Sequence, residues 1–262
     1  MKETLFYVAL LFLLDKALIR PSTIENKIKD VFVSYVGRVE EIKVDVELAS
    51  FPRDLLGRID KAEVRMRGFE TETLPISITP KKVLAGKISR LKFEGFDLKY
   101  KDIPIKSVSL YLSDLRFNLP KLLFQRKMQF IGAGKGIVNL VLGEEALNEA
   151  AKEKAKVKLS DGRVELRFNV GYPPLSLPLV INGKLEGRGD KIFFVQPSGE
   201  VFSLPIPQSL LQYAVDRLNP ILDISSLIPF TIPIKIRSIE IKEGEINISC
   251  EVDLSNLGKG EE

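Results

Sequence analysis

Residues 163–202 constrain the fold most strongly, because their apolar residues recur at every second position. Side chains at alternate positions of a strand share one face of the sheet. Turn signals at residues 171–174 and 187–190 divide the stretch into three strands. The pattern predicts an antiparallel meander with one apolar and one polar face. The dipeptide Asn182-Gly183 is consistent with either a turn or a bulge in the middle strand.

One-sided strands of this kind recur along the chain, roughly ten in all by the period of two. Three segments instead have the period of an amphipathic helix: residues 22–35, 143–154 and 207–219. In the first of these, Ser22 and Glu25 have the spacing of a capping box. Apolar sheet faces must pack on another sheet, a helix or a ligand. We therefore expect a mainly β (α+β) fold, with a strongly curved antiparallel sheet resembling a β-barrel and amphipathic helices in its groove.

The chain is expected to have a short apolar leader followed by one domain. Residues 5–14 are an unbroken apolar run whose helix would reach about 15 Å, half of a hydrocarbon core. We interpret residues 1–20 as an export signal or uncleaved anchor, although no Ala-x-Ala cleavage site follows; an interfacial helix and a buried packing helix are the alternatives. No linker or charged block divides residues 21–254, and residues 255–262 form a frayed tail.

The composition excludes several classes of function. The chain has no His and one Cys, which excludes His-dependent triads, most zinc sites and an intrachain disulfide. Its net charge of +4 is mild, and Lys and Glu alternate along most strands, so we expect no nucleic-acid partner. Cys250 lies in an apolar alternation and is expected to be buried. Glu144-Glu145 is the most evident acidic pair, but neighbours on a helix point about 100° apart. We expect no catalysis, no metal and no cofactor.

Several motifs, in order along the chain, resemble the LmeA-like phospholipid-binding family of bacterial envelope proteins. The first is the N-terminal apolar segment. The later motifs are, in order, Ser50-Phe51-Pro52, Leu55-Leu56-Gly57-Arg58, Leu142-Gly143-Glu144-Glu145-Ala146-Leu147-Asn148, the Asp161-Gly162 turn, Leu185-Glu186-Gly187 and Ile232-Pro233-Ile234. The resemblance implies an elongated barrel of the tubular lipid-binding type with a cavity for acyl chains. It implies binding or carrying of phospholipid or another acyl lipid at the cell envelope, not catalysis. The alternative is a membrane-tethered structural protein with a solidly packed β core.

An acyl chain needs only an apolar lining, because each CH₂ removed from water contributes about 0.8 kcal/mol. Periodicity cannot distinguish such a lining from plain core packing, which is the alternative for every residue proposed. The candidate lining residues are Phe168, Val170, Leu177, Leu179, Ile192, Phe194, Leu211 and Val215.

A second candidate site is a short segment that combines apolar and basic side chains. This composition predicts docking on anionic lipid headgroups. The alternative is a short helix packed on the end of the barrel. The candidate docking residues are Leu119, Lys121, Leu122, Leu123, Phe124 and Arg126.

Overall fold

The structure is a computed structural model that describes residues 20–36, 38–50, 57–71, 77–78, 84–125, 127, 129–151, 155–170, 177–201, 204–225 and 233–255. Its helices are α1 (Pro21–Tyr35), α2 (Leu119–Gln125), α3 (Glu144–Ala151) and α4 (Gln208–Leu218). Its strands are β1 (Val39–Leu48), β2 (Arg58–Thr71), β3 (Ser77–Ile78), β4 (Ala85–Tyr100), β5 (Ile103–Asn118), β6 (Gln129–Gly132), β7 (Lys135–Gly143), β8 (Lys156–Ser160), β9 (Arg163–Val170), β10 (Leu177–Arg188), β11 (Lys191–Val201), β12 (Leu204–Pro205), β13 (Leu222–Asp223), β14 (Ile234–Lys242) and β15 (Glu245–Asp253).

These elements confirm the predicted fold class, which is mainly β with a few helices and a curled antiparallel sheet. The larger sheet has the strand order β1-β2-β4-β5-β7-β15-β14, with β6 beside β5 and β3 beside β6. The smaller sheet has the order β12-β11-β10-β9-β8, with β13 also paired to β11. All pairings in the smaller sheet are antiparallel, as the meander pattern predicts.

The chain forms two compact units. Unit 1 comprises residues 1–95, 109–136 and 253–262, and unit 2 comprises residues 96–108 and 137–252. Strands β4, β5, β7 and β15 contribute residues to both. A single domain over residues 21–254 stays a prediction. The predicted leader lies almost wholly outside the described residues, and the tail does so apart from Ser255. No helix among the described residues is long and apolar enough to cross a membrane.

In unit 1, α1 covers β1 with the face that its period predicts. Ile24, Ile28 and Val31 are buried, and Phe32 stacks on Phe93 of β4 with ring centroids 5.8 Å apart. The predicted capping box is wrong, because Pro21 occupies the first helical turn and the N-cap is Arg20, without a side-chain cap. Glu25 instead accepts a hydrogen bond from the Val46 amide of β1 at 3.1 Å and so ties the helix to the sheet.

In unit 2, the turns of the smaller sheet bond to the β14–β15 hairpin. The Gly162 amide donates to the Ile241 carbonyl at 3.1 Å, and the Ile236 amide donates to the Gly189 carbonyl at 2.8 Å. Strand β14 contacts both β8 and β10. The hairpin buries one apolar row of β15 in this unit: Ile246, Ile248, Cys250 and Val252.

The middle strand of the meander is continuous, so Asn182-Gly183 is not a turn; the bulge lies opposite it in β11, where Gln196 and Pro197 face Gly183. The register of β10 with β11 shifts between Asn182 and Lys184. A Cβ at Gly183 would lie 2.4 Å from Cζ of Phe194, so the glycine makes room for that ring. Unit 1 repeats the arrangement, since a Cβ at Gly86 would lie 2.3 Å from Cζ of Phe117. In both sheets the backbone of a glycine is covered by a phenylalanine side chain of the neighbouring strand.

Burial of Cys250 gives a direct test of this core. Desolvation raises the pKa of its thiol from 9.0 to about 11. Since the thiolate is the reactive form, we expect negligible labelling by a thiol reagent at pH 8 in the native protein and full labelling in denaturant. The protonated thiol stabilises the folded state below pH 9.0, and this contribution is lost as the pH rises towards 11. Rapid native labelling at pH 8 would contradict the burial.

Candidate functional site

The apolar face of the smaller sheet is buried in unit 2. Cross-strand partners Val157 and Leu166, and Leu166 and Ile181, continue one apolar row across β8, β9 and β10. Its members are at most 4% exposed: Val157, Leu159, Val164, Leu166, Leu179, Ile181, Ile192 and Phe194.

The opposite face of this sheet carries ion pairs. Arg167 contacts Glu165 at 2.6 Å, and Arg188 contacts Glu186 at 3.1 Å. The hydrogen bond from Arg188 lowers the pKa of the Glu186 carboxyl below its usual value. Because both pairs are solvated, they contribute little to stability. Their position shows which face of the sheet is outward. The sequence alone left this open at residues 192–195, where both faces are apolar.

Helix α4 covers part of the apolar face through its contact with β11. Leu211, Ala214 and Val215 are buried on its inner side. Just after the helix, the Asn219 side chain bonds to Phe194 as a neighbouring strand would. Its Oδ1 accepts from the Phe194 amide at 2.8 Å, and its Nδ2 donates to the Phe194 carbonyl at 3.0 Å.

Helix α3 is attached to β8, the edge strand, by the same kind of contact. Asn148 accepts from the Val157 amide at 2.7 Å and donates to the Val157 carbonyl at 3.1 Å. The Glu144 carboxylate accepts from the Leu159 amide at 2.7 Å. These bonds satisfy edge groups that would otherwise be unpaired. Glu144 therefore has a structural partner, and Glu145 lies exposed beside it.

A small apolar cleft lies between the two helices and the sheet. Its volume is about 70 Å³. It is lined by Ala150, Ala151, Ala155, Val157, Leu166, Leu218, Pro220 and Ile221. The short side chains of three alanines leave the space, and every lining side chain is apolar and can make dispersion contacts with an apolar ligand.

The candidate lining residues of the sequence analysis belong to the same layer but not to the lining of this cleft. Leu179, Ile192, Phe194, Leu211 and Val215 are at most 4% exposed and lie within the packed core. Phe168 is half-buried opposite Leu179, at the less covered end of the face. The side chains of Val170 and Leu177 lie outside the described residues. Their role in lipid binding stays a prediction.

The candidate docking residues lie on or next to α2, in unit 1, and divide into inner and outer sets. Leu119 is 6% exposed and Leu122 is 1% exposed, whereas Leu123 and Lys121 are half-buried and Phe124 is 75% exposed. Arg126 lies outside the described residues. Asn118 caps the helix, since its Oδ1 accepts from the Lys121 amide at 3.1 Å.

Sequence reasoning missed the residues that attach the two helices and line the cleft. Asn148 was noted only as part of a family motif and Asn219 not at all, because their strand partners are 9 and 25 residues distant. Ala150 and Ala151 were available as a signal, since small residues on an apolar helix face leave space, and Ala155 follows just after the helix. Periodicity places them in the core without showing that the space remains.

The fold and the cleft define a class of protein: a curled antiparallel sheet whose apolar face is covered by helices and retains an apolar cleft. The chain belongs to the LmeA-like phospholipid-binding family, whose sequence profile matches residues 76–251, well over half of the chain. The resemblance drawn from the motifs is thus confirmed, and membership indicates lipid as the partner. No curated protein and no solved structure matches the chain significantly.

Proposed function

We propose that this protein binds a phospholipid without catalysis and holds its acyl chains between the apolar face of the smaller sheet and helices α3 and α4. The observation that carries the proposal is the apolar cleft, in a chain of a phospholipid-binding family. Pockets for small ligands measure about 300–1,000 Å³, far more than this cleft. Acyl chains would therefore require α4 to shift away from β11. The buried side chains of α4 are Leu211, Ala214 and Val215, so the shift would expose few apolar groups, and it would break the two hydrogen bonds between Asn219 and Phe194.

Native mass spectrometry of a chain beginning at Pro21, combined with lipid extraction, tests this function. We expect a bound species of phospholipid mass that is lost on denaturation. A ligand-free mass that persists after incubation with liposomes would contradict the proposal. It would favour the alternative, an envelope protein with a filled core that acts through protein contacts.

The variant Phe168→Asp tests the assigned lining. Phe168 is half-buried on the apolar face, so a carboxylate there would have to be desolvated beside the acyl chain. We expect co-purified lipid to fall at least tenfold, because charge burial without a partner costs several kcal/mol. Asn169→Asp is the matched control, since it adds the same charge on the exposed opposite face. Unchanged lipid content in a folded Phe168→Asp protein would refute the lining.

We also propose that residues 1–20 target the protein to the cell envelope and remain as an anchor. The apolar run and the absence of a cleavage motif support this. Mass determination of the protein from its native membrane fraction tests it. Loss of the first twenty or so residues would show that the segment is a cleaved signal.

A further inference from the structure

The basic residues of this chain are distributed unevenly. Residues 73–93 contain five Lys or Arg and no Asp or Glu, and residues 115–143 likewise contain five and none. The other 29 basic residues are outnumbered by the 35 acidic ones. Although the net charge is only +4, the chain therefore contains two segments with basic but no acidic residues, and the rest of the chain is acidic overall.

Unit 1 brings described parts of the two acid-free segments together. Ser77 and Ile78 of β3 pair in parallel with Gln129 and Phe130 of β6. The Leu119 amide, at the start of α2, donates to the Leu84 carbonyl at 3.1 Å. In the first segment Lys87 pairs with Asp114 and Lys92 with Glu94, so the positive charge beside α2 comes from Lys121 and Lys127 of the second segment.

The same place carries the two most exposed large apolar side chains of the described chain. Phe124 is 75% exposed and Leu84 is 62% exposed. Leu84 bonds to the first residue of α2, and Phe124 follows five residues later, about 7.5 Å along the helix axis. We call Leu84, Lys121, Phe124 and Lys127 the α2 surface. Neither lysine forms an ion pair with any residue that the structure describes.

The helix is held firmly beneath this surface. A Cβ at Gly57, whose φ is +67°, would lie 2.6 Å from Cδ2 of Leu119, so the glycine allows close approach of the helix. Asn118 also donates to Gln129 at 3.1 Å in the interior. Buried Leu119 and Leu122 therefore anchor α2, and the exposed Phe124 lies on a firmly packed helix.

We infer that the α2 surface docks on membranes of anionic phospholipid. Exposed apolar side chains beside unpaired lysines match such a membrane, which offers an acyl boundary beneath negative headgroups. A nucleic acid would satisfy the lysines but leave Leu84 without an apolar partner. This inference does not depend on acyl-chain binding, because every residue of the α2 surface belongs to unit 1.

A tryptophan reporter tests the contact locally, since the chain contains no Trp. The full chain carrying Phe124→Trp is reconstituted into vesicles with brominated acyl chains, made of phosphatidylcholine alone or of an equal mixture with phosphatidylglycerol. The segment 1–20 is present in both, and the reporter at position 124 detects contact of α2 itself with the bilayer. We expect strong quenching only in anionic vesicles, largely lost between about 0.1 M and 1 M salt as the Debye length falls from about 10 to 3 Å. The matched reporter is Ser160→Trp, at an exposed position of unit 2.

Charge variants in the reporter background complete the test. Lys121→Gln and Lys127→Gln should each weaken docking about fivefold. Lys156→Gln and Lys158→Gln, two exposed lysines of β8, should leave it unchanged. Equal quenching in neutral and anionic vesicles, or equal quenching at positions 124 and 160, would overturn the inference. So would an emission shift with a single-stranded oligonucleotide but not with anionic vesicles.

Discussion

The Phe194→Ala variant is expected to lose about 3–5 kcal/mol of its free energy of unfolding. Phe194 is 1% exposed, and its ring covers Gly183. Truncation would remove the ring's apolar contacts and leave a cavity that the paired strands cannot close. Denaturant titration followed by circular dichroism measures the loss.

Two further variants show whether the loss comes from this packing. Phe193→Ala, on the outward face, removes a half-buried ring that contacts Arg188 and should cost about 1 kcal/mol. Gly183→Ala alone should destabilise by about 1–3 kcal/mol through overpacking against the Phe194 ring. In the Phe194→Ala background, the destabilisation caused by Gly183→Ala should be smaller by about 1 kcal/mol or more. Part of it should remain, because the added Cβ still lies 2.8 Å from the Val195 carbonyl oxygen. Equal losses at 193 and 194 would contradict the assignment of the inner face.

The Asn219→Ala variant should lose about 2–3 kcal/mol, because it leaves both the amide and the carbonyl of Phe194 without a partner. We also expect faster hydrogen exchange at the Phe194 amide and through α4, since the side chain joins the end of the helix to β11. Exchange measured by NMR locates the effect, and denaturant titration measures its size.

Asn247→Ala is the matched control for this position. Asn247 makes one long exposed hydrogen bond of 3.4 Å to Glu240, so its loss should change stability by less than about 0.5 kcal/mol. An unchanged exchange rate at Phe194 in Asn219→Ala would show that the asparagine does not hold α4. If the variant also binds more lipid, the proposed outward shift of α4 gains direct support.

Local patterns predicted much of the fold. The alternation through Val164 and Leu166 identified both the strand and its buried face. The helix expected at 207–219 is found at Gln208–Leu218, with the predicted Leu211 and Val215 on its inner side. These predictions succeed because the period of a strand or helix depends on residues close together in the chain.

Predictions that needed a distant partner were incomplete or wrong. The capping box was assigned from spacing, but Pro21 begins the helix and Glu25 bonds to β1. The segment around Phe124 was correctly recognised as apolar and basic. Its division into buried Leu119 and Leu122 and exposed Phe124 depends on Gly57, some sixty residues earlier.

By itself the sequence determined the class of fold, the apolar face of each strand and, through its motifs, the family. The tertiary structure decided how the helices attach, that the space left above Val157 and Leu166 is only about 70 Å³, and where the basic segments meet. The physical reason is the range of the interactions. The periodicity of burial depends on residues close together in the chain. By contrast, a cleft, a charged surface or an asparagine beside a strand edge forms only after distant segments have packed together.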